Sequence, residues 1–335
     1  MKFALFTPLL LAGLISATCT QAGTAIEEHG ALAVSGNRIV DKHQQPVSFA
    51  GPSLFWSNTG WSADRYYNPD VINYIQEQWN APIIRTAIGV DGNGSVISHR
   101  EENYRKAETV VDAAIKQGMY IILDWHAHHA EKHRAEAIAF FEHFAKNYGE
   151  HPNIIYEIYN EPLANTDWND VIKPYSESLV KSIRTIDPDN LIIVGTQSWS
   201  QDVDKAADNP ITGYNNIAYT LHFYAGTHKA SLREKAQYAL NKGVALMVTE
   251  WGTVNANGDG GVNRDSTEQW LQFMRENQLS HANWALNDKA EGASMLKPGT
   301  PPDGNWSDDD LTESGLYVKS IIKNWHDIDY SGDED

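Results

Sequence analysis

The 335-residue sequence predicts an α/β fold, a single (β/α)8 TIM barrel, on three observations. Eight short runs of β-branched and aromatic residues alternate with segments whose apolar residues recur at helical spacing. No Gly-rich or Pro-rich linker splits the alternation into two domains. No Gly-x-Gly-x-x-Gly follows the first run, and the Gly92 and Gly94 pair lacks the third glycine, which disfavours a doubly wound open sheet.

Taken in order, residues 1–22 read as a signal peptide: Lys2 gives a positive start, residues 9–15 an apolar run, and Thr20-Gln21-Ala22 a small-residue cleavage site. Secretion to the extracellular space or periplasm is therefore expected. The single cysteine, Cys19, falls inside that segment, so the mature chain is expected to hold no disulfide. Residues 30–34 and 38–40 form a predicted hairpin turning at Ser35-Gly36-Asn37. The barrel strands are then predicted at 47–54, 83–90, 119–126, 154–161, 191–196, 217–224, 245–250 and 281–286.

Helices are predicted between them at 69–79, 101–117, 135–148, 171–186, 232–241, 266–277 and 311–325, with room for only a short one at 201–209. Asn68 is placed to cap the first and Pro69 suits its first position. Residues 287–310 form a long loop with Gly299, Pro301, Pro302 and Gly304, a length that usually serves function. The catalytic domain is expected to occupy 23–326, and 327–335 to be a disordered acidic tail.

Barrel strands converge on one mouth at their carboxyl ends, and there the sequence is unusually polar. The second strand carries Arg85, the third ends in His126, the fourth in Asn160 and Glu161, the sixth in His222 and Tyr224, the seventh in Glu250, and the eighth carries Trp284. Glu161 and Glu250 form the pair of interest. Cleaving a glycosidic bond takes two carboxyl groups across one sugar, the first protonated for the leaving oxygen and the second ionised to attack or to activate water. Arg85 and Tyr224 are placed to hold Glu250 ionised, and Asn160 to bond a sugar hydroxyl. Glu157 is the rival acid. An unbroken strand would set it about 13 Å deeper, which makes it a buried structural group.

The net charge of −18 and the absence of clustered Lys and Arg argue against nucleic acid and anionic membranes as partners. Eleven Trp and fifteen Tyr suit a sugar-binding surface, although most such rings serve the core. The run His126-Ala127-His128-His129, with His133, has a spacing that zinc sites use, but no Asp-rich partner set accompanies it. His128, His129 and His133 read instead as an exposed loop rim.

The run Ile155-Tyr156-Glu157-Ile158-Tyr159-Asn160-Glu161-Pro162, with Thr249-Glu250-Trp251-Gly252, resembles glycoside hydrolase family 5, in its branch of secreted bacterial endo-β-1,4-glucanases. Arg85, Asp124-Trp125-His126, Leu221-His222-Phe223-Tyr224 and Asn283-Trp284-Ala285-Leu286-Asn287-Asp288-Lys289 extend the similarity from about residue 48 to 325. The resemblance implies Glu161 as acid/base and Glu250 as nucleophile of a retaining hydrolase, with Arg85, His126, Asn160, His222 and Tyr224 as the polar shell. It implies Trp284 as the platform under the cleaved sugar, Trp56 and Trp199 as further platforms, and Lys289 and Glu291 as contacts to neighbouring glucose units. The implied partners are β-1,4-linked glucan and cello-oligosaccharides, bound by a monomer with no metal or organic cofactor. Two departures stand out: Ser53-Leu54-Phe55 where many members carry a His, and Gly89 where many carry a Tyr. A barrel with the same carboxylate pair acting on mannan, xyloglucan or mixed-linkage β-glucan remains the alternative, and a non-catalytic carbohydrate-binding barrel a further one.

Overall fold

The computed structural model describes residues 23–58 and 62–326. The predicted signal peptide and acidic tail lie outside these residues. Strands β1 (Ala33–Ser35) and β2 (Arg38–Val40) form the expected short antiparallel hairpin. The barrel follows as β3 (Ala50–Leu54), β4 (Ile83–Gly89), β5 (Tyr120–His126), β6 (Ile154–Glu157), β7 (Ile192–Val194), β8 (Ile217–Tyr224), β9 (Leu246–Gly252) and β10 (His281–Leu286). All pairings in it are parallel, and β10 pairs back onto β3 to close the ring. Among the described residues no helix is long and apolar enough to cross a membrane.

Alternation along each strand sorts the side chains into two layers. Ile83, Tyr120, Ile122, Ile155, Ile193, Ala218 and Met247 fill the lower barrel interior, with Leu32 and Ile39 of the hairpin packed against the same cluster. Ile84, Leu123, Tyr156, Val194, Leu221 and Val248 face outward into the layer shared with the helices. The helix Pro69–Trp79 matches its predicted span, with Asn68 accepting from the Val71 amide. Others shift by a residue or two, as fraying ends do. The predicted helix at 171–186 begins with a π turn, Trp168–Ile172, before Lys173–Arg184. A short helix not expected from the sequence, Ala25–His29, is held by a capping box between Thr24 and Glu27.

Two irregularities matter for the site. β6 stops at Glu157, four residues before the predicted end, because Ile158 and Tyr159 both pack outward and strict alternation fails there. The backbone still continues upward, with the Ile158 amide on Ile193 O and the Glu161 amide on Ala127 O. On β9 an extra residue enters. Thr220 and His222 of β8 pair with Met247 and Glu250, and His281 and Asn283 of β10 pair with Val248 and Trp251. Such a bulge re-aims side chains, and here it lets Thr249 and Glu250, neighbours in sequence, both reach the interior.

Candidate active site

Above the apolar layer the barrel holds a charged cluster centred on Arg85. Its guanidinium is fully buried and touches an acid in three directions: Asp124 Oδ2 at 2.9 Å, Glu157 Oε2 at 2.7 Å and Glu250 Oε2 at 3.0 Å. It also donates to Asn160 Oδ1 at 2.7 Å. Strand register makes this possible, since Ala87 lies level with Asp124 and Asp124 with Glu157. A guanidinium presents five donors in a rigid fork, and only that geometry serves so many acceptors at once.

Glu250 is bound at both oxygens, by Arg85 at one and by Tyr224 Oη, at 2.7 Å, at the other. Gly252 permits the second contact: a Cβ there would stand 2.4 Å from the Tyr224 ring. Burial and then the charge of Glu161 push the Glu250 carboxyl up, against the pull of His222, Arg85 and Tyr224. Burial pushes the Tyr224 phenol well up, so it is a neutral donor.

Glu161 sits between two imidazoles. His222 Nδ1 is 3.0 Å from its Oε1 and His128 Nε2 is 3.3 Å from its Oε2. Burial raises this carboxyl, but hydrogen bonds from His128 and His222 outweigh it and hold it down at about 2. His222, penalised by burial but bonded toward Glu157 and Glu161, is pushed up to about 9. His128 is raised by its bond to Glu161. One oxygen of Glu161, one of Glu250 and a nitrogen of His222 all lie within 4.8 Å of one another. Deeper in the barrel, Asp124 is pushed well up by burial and lies 2.6 Å from His126 Nδ1, while burial holds His126 neutral.

The structure thus brings Arg85, His126, Asn160, Glu161, His222, Tyr224 and Glu250 into one cluster at the mouth. Trp284 forms its wall, stacked parallel on His126 at 5.0 Å, against Phe55 at 5.1 Å, and only 6% exposed. Trp56 stands edge-on to His126 at 4.2 Å. A side chain at position 89 would collide with Asn58 and come within 3.1 Å of Trp56, so Gly89 clears the space that this tryptophan and its loop occupy. Lys289 pairs with Glu291 at 2.5 Å and lies over Phe55, on the same wall. Trp199 projects from the rim, 44% exposed, on three successive left-handed residues, Ser198, Trp199 and Ser200. That turn is tied to the Glu161 segment by the Trp199 amide on Pro162 O and by Ser200 Oγ on Asn160 O.

Two sequence readings need correction. His128 belongs to the site rather than to a loop rim: its amide donates to Asp91 Oδ2, and its ring reaches back to Glu161 across 33 residues. The His126-x-His128 spacing was the available signal, since it aims two imidazoles at one mouth. Glu157 is structural as expected but not remote, for His222 Nε2 lies 3.7 Å from it while Nδ1 touches Glu161. The His222 ring bridges the two carboxyl groups, one nitrogen toward each.

The comparisons agree with this site. A family model for cellulase, glycosyl hydrolase family 5, matches residues 40–290. The chain is 54% identical over 294 residues to Endoglucanase Z of Dickeya dadantii, covering 88% of this chain and 66% of that protein. A solved structure from Cytophaga hutchinsonii superimposes with a TM-score of 0.87 at 45% identity, covering 90% of this chain and 97% of that one. The catalytic domain of the Thermobifida fusca endoglucanase Cel5A, solved as a variant in complex with cellotetraose, superimposes at 0.84 with 28% identity, covering 90% and 100%. The chain spans 66% and 65% of the length of two of its curated relatives. With this match across most of the barrel, and with both carboxyl groups in the mouth, the chain belongs to the cellulase family, glycosyl hydrolase family 5.

Proposed function

We propose that this protein is an endo-β-1,4-glucanase that hydrolyses internal β-1,4-glucosidic bonds of cellulose and related glucans with retention. The observation that carries the reading is the spacing of Glu161 and Glu250, whose nearest oxygens lie within 4.8 Å. Retaining glycosidases keep their carboxyl groups about 5 to 5.5 Å apart, whereas inverting ones leave room for a water. The cellotetraose bound by the Thermobifida relative supports the substrate class.

In this reading Glu250 attacks the anomeric carbon while Glu161 gives its proton to the departing glycosidic oxygen. The C–O bond breaks, and a glycosyl ester on Glu250 forms. Water then attacks the anomeric carbon, giving its proton to Glu161, and the bond from that carbon to the Glu250 oxygen breaks, freeing Glu250. In the free protein the proton rests on the His222 side of the pair, because His222 is raised and Glu161 lowered. Glucan entering the mouth displaces water from Glu161 and favours its neutral form, so the proton crosses the 3.0 Å to Glu161 Oε1. That transfer removes both the Glu161 charge that raises Glu250 and the His222 charge that lowers it, leaving Arg85 and Tyr224 to hold the nucleophile ionised against burial.

Asn160, His126 and Trp284 line the reacting sugar, while Trp56, Trp199, Lys289 and Glu291 hold its neighbours. The ring of strands closes within one chain, and that chain carries every residue named in these steps, so the proposed reaction asks for no second subunit. The charge and apolar run at the start of the sequence support export.

Proton NMR of the anomer first released from cellopentaose tests the mechanism: the β-anomer is expected, and initial release of the α-anomer refutes it. Glu250→Ala should lower kcat by more than about a thousandfold while oligosaccharide still binds. Soluble β-1,4-glucan, mixed-linkage glucan and mannan assayed side by side fix the preference, and faster cleavage of mannan would overturn the substrate assignment.

A further inference from the structure

The hydrogen-bond chain beneath His222 has a direction. Arg85 cannot deprotonate, and it binds Glu157 in a fork, Nε on Oε2 at 2.7 Å and Nη2 on Oε1 at 3.2 Å, so Glu157 is an acceptor. Thr249 Oγ1 donates to Glu157 Oε1 at 2.7 Å. A hydroxyl has one hydrogen, and that bond uses it. Thr249 Oγ1 is therefore an acceptor toward its next neighbour, His222 Nε2, at 2.9 Å. Thr220 Oγ1 lies 3.2 Å from the same oxygen and 3.5 Å from Glu157 Oε1, so its one hydrogen has an acceptor on either. Thr249, His222, Glu157 and Thr220 are 0 to 1% exposed, so water does not substitute for any of these partners.

We propose that Thr249, anchored by Glu157, is a positioning residue that keeps the proton on His222 Nε2 and so commits Nδ1 to sharing a single proton with Glu161. With Nε2 always protonated, the pair has two states while it holds its shared proton: an imidazolium against the Glu161 carboxylate, or a neutral imidazole whose bare Nδ1 accepts from the Glu161 acid. The second is the acid form that cleavage requires. The third arrangement, a neutral ring with hydrogen on Nδ1 and none on Nε2, would leave Glu161 unable to give a proton, and the Thr249 oxygen disfavours it. The bulge on β9 produces this arrangement, since it turns Thr249 inward beside Glu250. The other charged or titratable groups around His222 are Glu250 and His126, with Arg85 on the far side of Glu157 and His128 on the far side of Glu161. Among the described contacts, Glu161, Thr249 and Glu157 are the ones within 4 Å of its ring nitrogens.

This inference rests on the retaining reading of Glu161, and its test separates the two. Thr249→Val keeps the shape and removes the hydroxyl. On cellopentaose its kcat/KM should fall by about tenfold to a hundredfold, and the basic limb of its pH profile should move down by about one unit, because the imidazolium loses an acceptor. On 2,4-dinitrophenyl β-cellobioside, whose leaving group needs no proton, kcat/KM should change less than about threefold. Thr249→Ser should restore both the rate and the pH profile.

Equal losses on both substrates with an unmoved pH profile would mean a merely structural role and overturn the proposal. Nitrogen-15 NMR of the unmodified protein, with His222 assigned by its loss in His222→Gln, gives a result that needs no folded Thr249 variant. Nε2 should carry hydrogen on both sides of the transition, and a neutral ring protonated on Nδ1 overturns the assignment. If the unmodified protein releases no reducing ends from β-1,4-glucan, the parent reading fails instead, and the NMR result is unaffected.

Discussion

Arg85 Nη1 lies 3.0 Å from Glu250 Oε2, with the guanidinium wholly buried. The same side chain neutralises Glu157 and Asp124, so it sustains both the nucleophile and the floor beneath it. Arg85→Ala would strand acids in the barrel interior, and removing one partner of a buried ion pair costs about 3 to 5 kcal/mol. The variant should unfold at markedly lower urea. Arg85→Lys keeps the charge but cannot span Glu157, Asn160 and Glu250 together, and should lose at least about tenfold in kcat with a smaller loss of stability.

His128 contributes differently, because its ring is about one-third exposed and lies between Glu161, at 3.3 Å, and Asp91, at 3.9 Å. Its hydrogen bond helps to hold Glu161 at about 2. Removing it should let the Glu161–His222 pair keep its proton to higher pH. In His128→Ala the basic limb of kcat/KM on cellopentaose should rise by about half a unit, opposite in sign to the shift in Thr249→Val, with an unchanged melting temperature.

His281 gives a pH dependence of stability unrelated to catalysis. Its Nδ1 accepts from Trp251 Nε1 at 3.0 Å and its ring packs edge-on to Trp325 at 4.2 Å. Burial, then the charges of Arg275 and His326, lower it from 6.5 to about 3. The unfolded chain binds this proton below about 6.5 while the folded one refuses it until about 3. The stability present above 6.5 is therefore lost progressively across that window. At pH 5 the loss from this one group should reach about 2 kcal/mol. Urea midpoints at pH 7 and pH 5 measure it, and His281→Asn should flatten the slope.

Trp199 tests the rim. Its exposure means that truncation removes little packing. Trp199→Ala should raise KM for cello-oligosaccharides by about five- to tenfold, with kcat within about twofold and thermal unfolding unmoved. A fall in kcat without a change in KM would place the ring elsewhere in the reaction.

The eight strands and most helices were legible because burial imposes a period on the residues, and Val, Ile and Tyr report it directly. Glu161 and Glu250 were legible for the same reason, each being a lone acid that ends an apolar run. What escaped depends on geometry that the period does not encode. Ile158 and Tyr159 look like strand and pack on one side in succession. The left-handed turn at Ser198–Ser200 contains no glycine to announce it. His128 meets Glu161 only once two loops lie side by side, as the Glu161 amide on Ala127 O shows. Thr24 and Glu27, by contrast, carried a readable capping box ahead of the first helix.

The seam between β10 and β3, where His281 pairs with Ala50, joins segments 231 residues apart. A ribosome making this chain has already released the lysine-poor inner strands and both acids well before the sealing strand emerges. Until then Val47, Phe49 and their layer have an open flank on which other unfinished chains could dock. Non-local closure of this kind is slow and exposes nascent molecules to aggregation. Expression yield should therefore respond to chaperone supply and growth temperature more steeply than the finished molecule's resistance to unfolding would suggest.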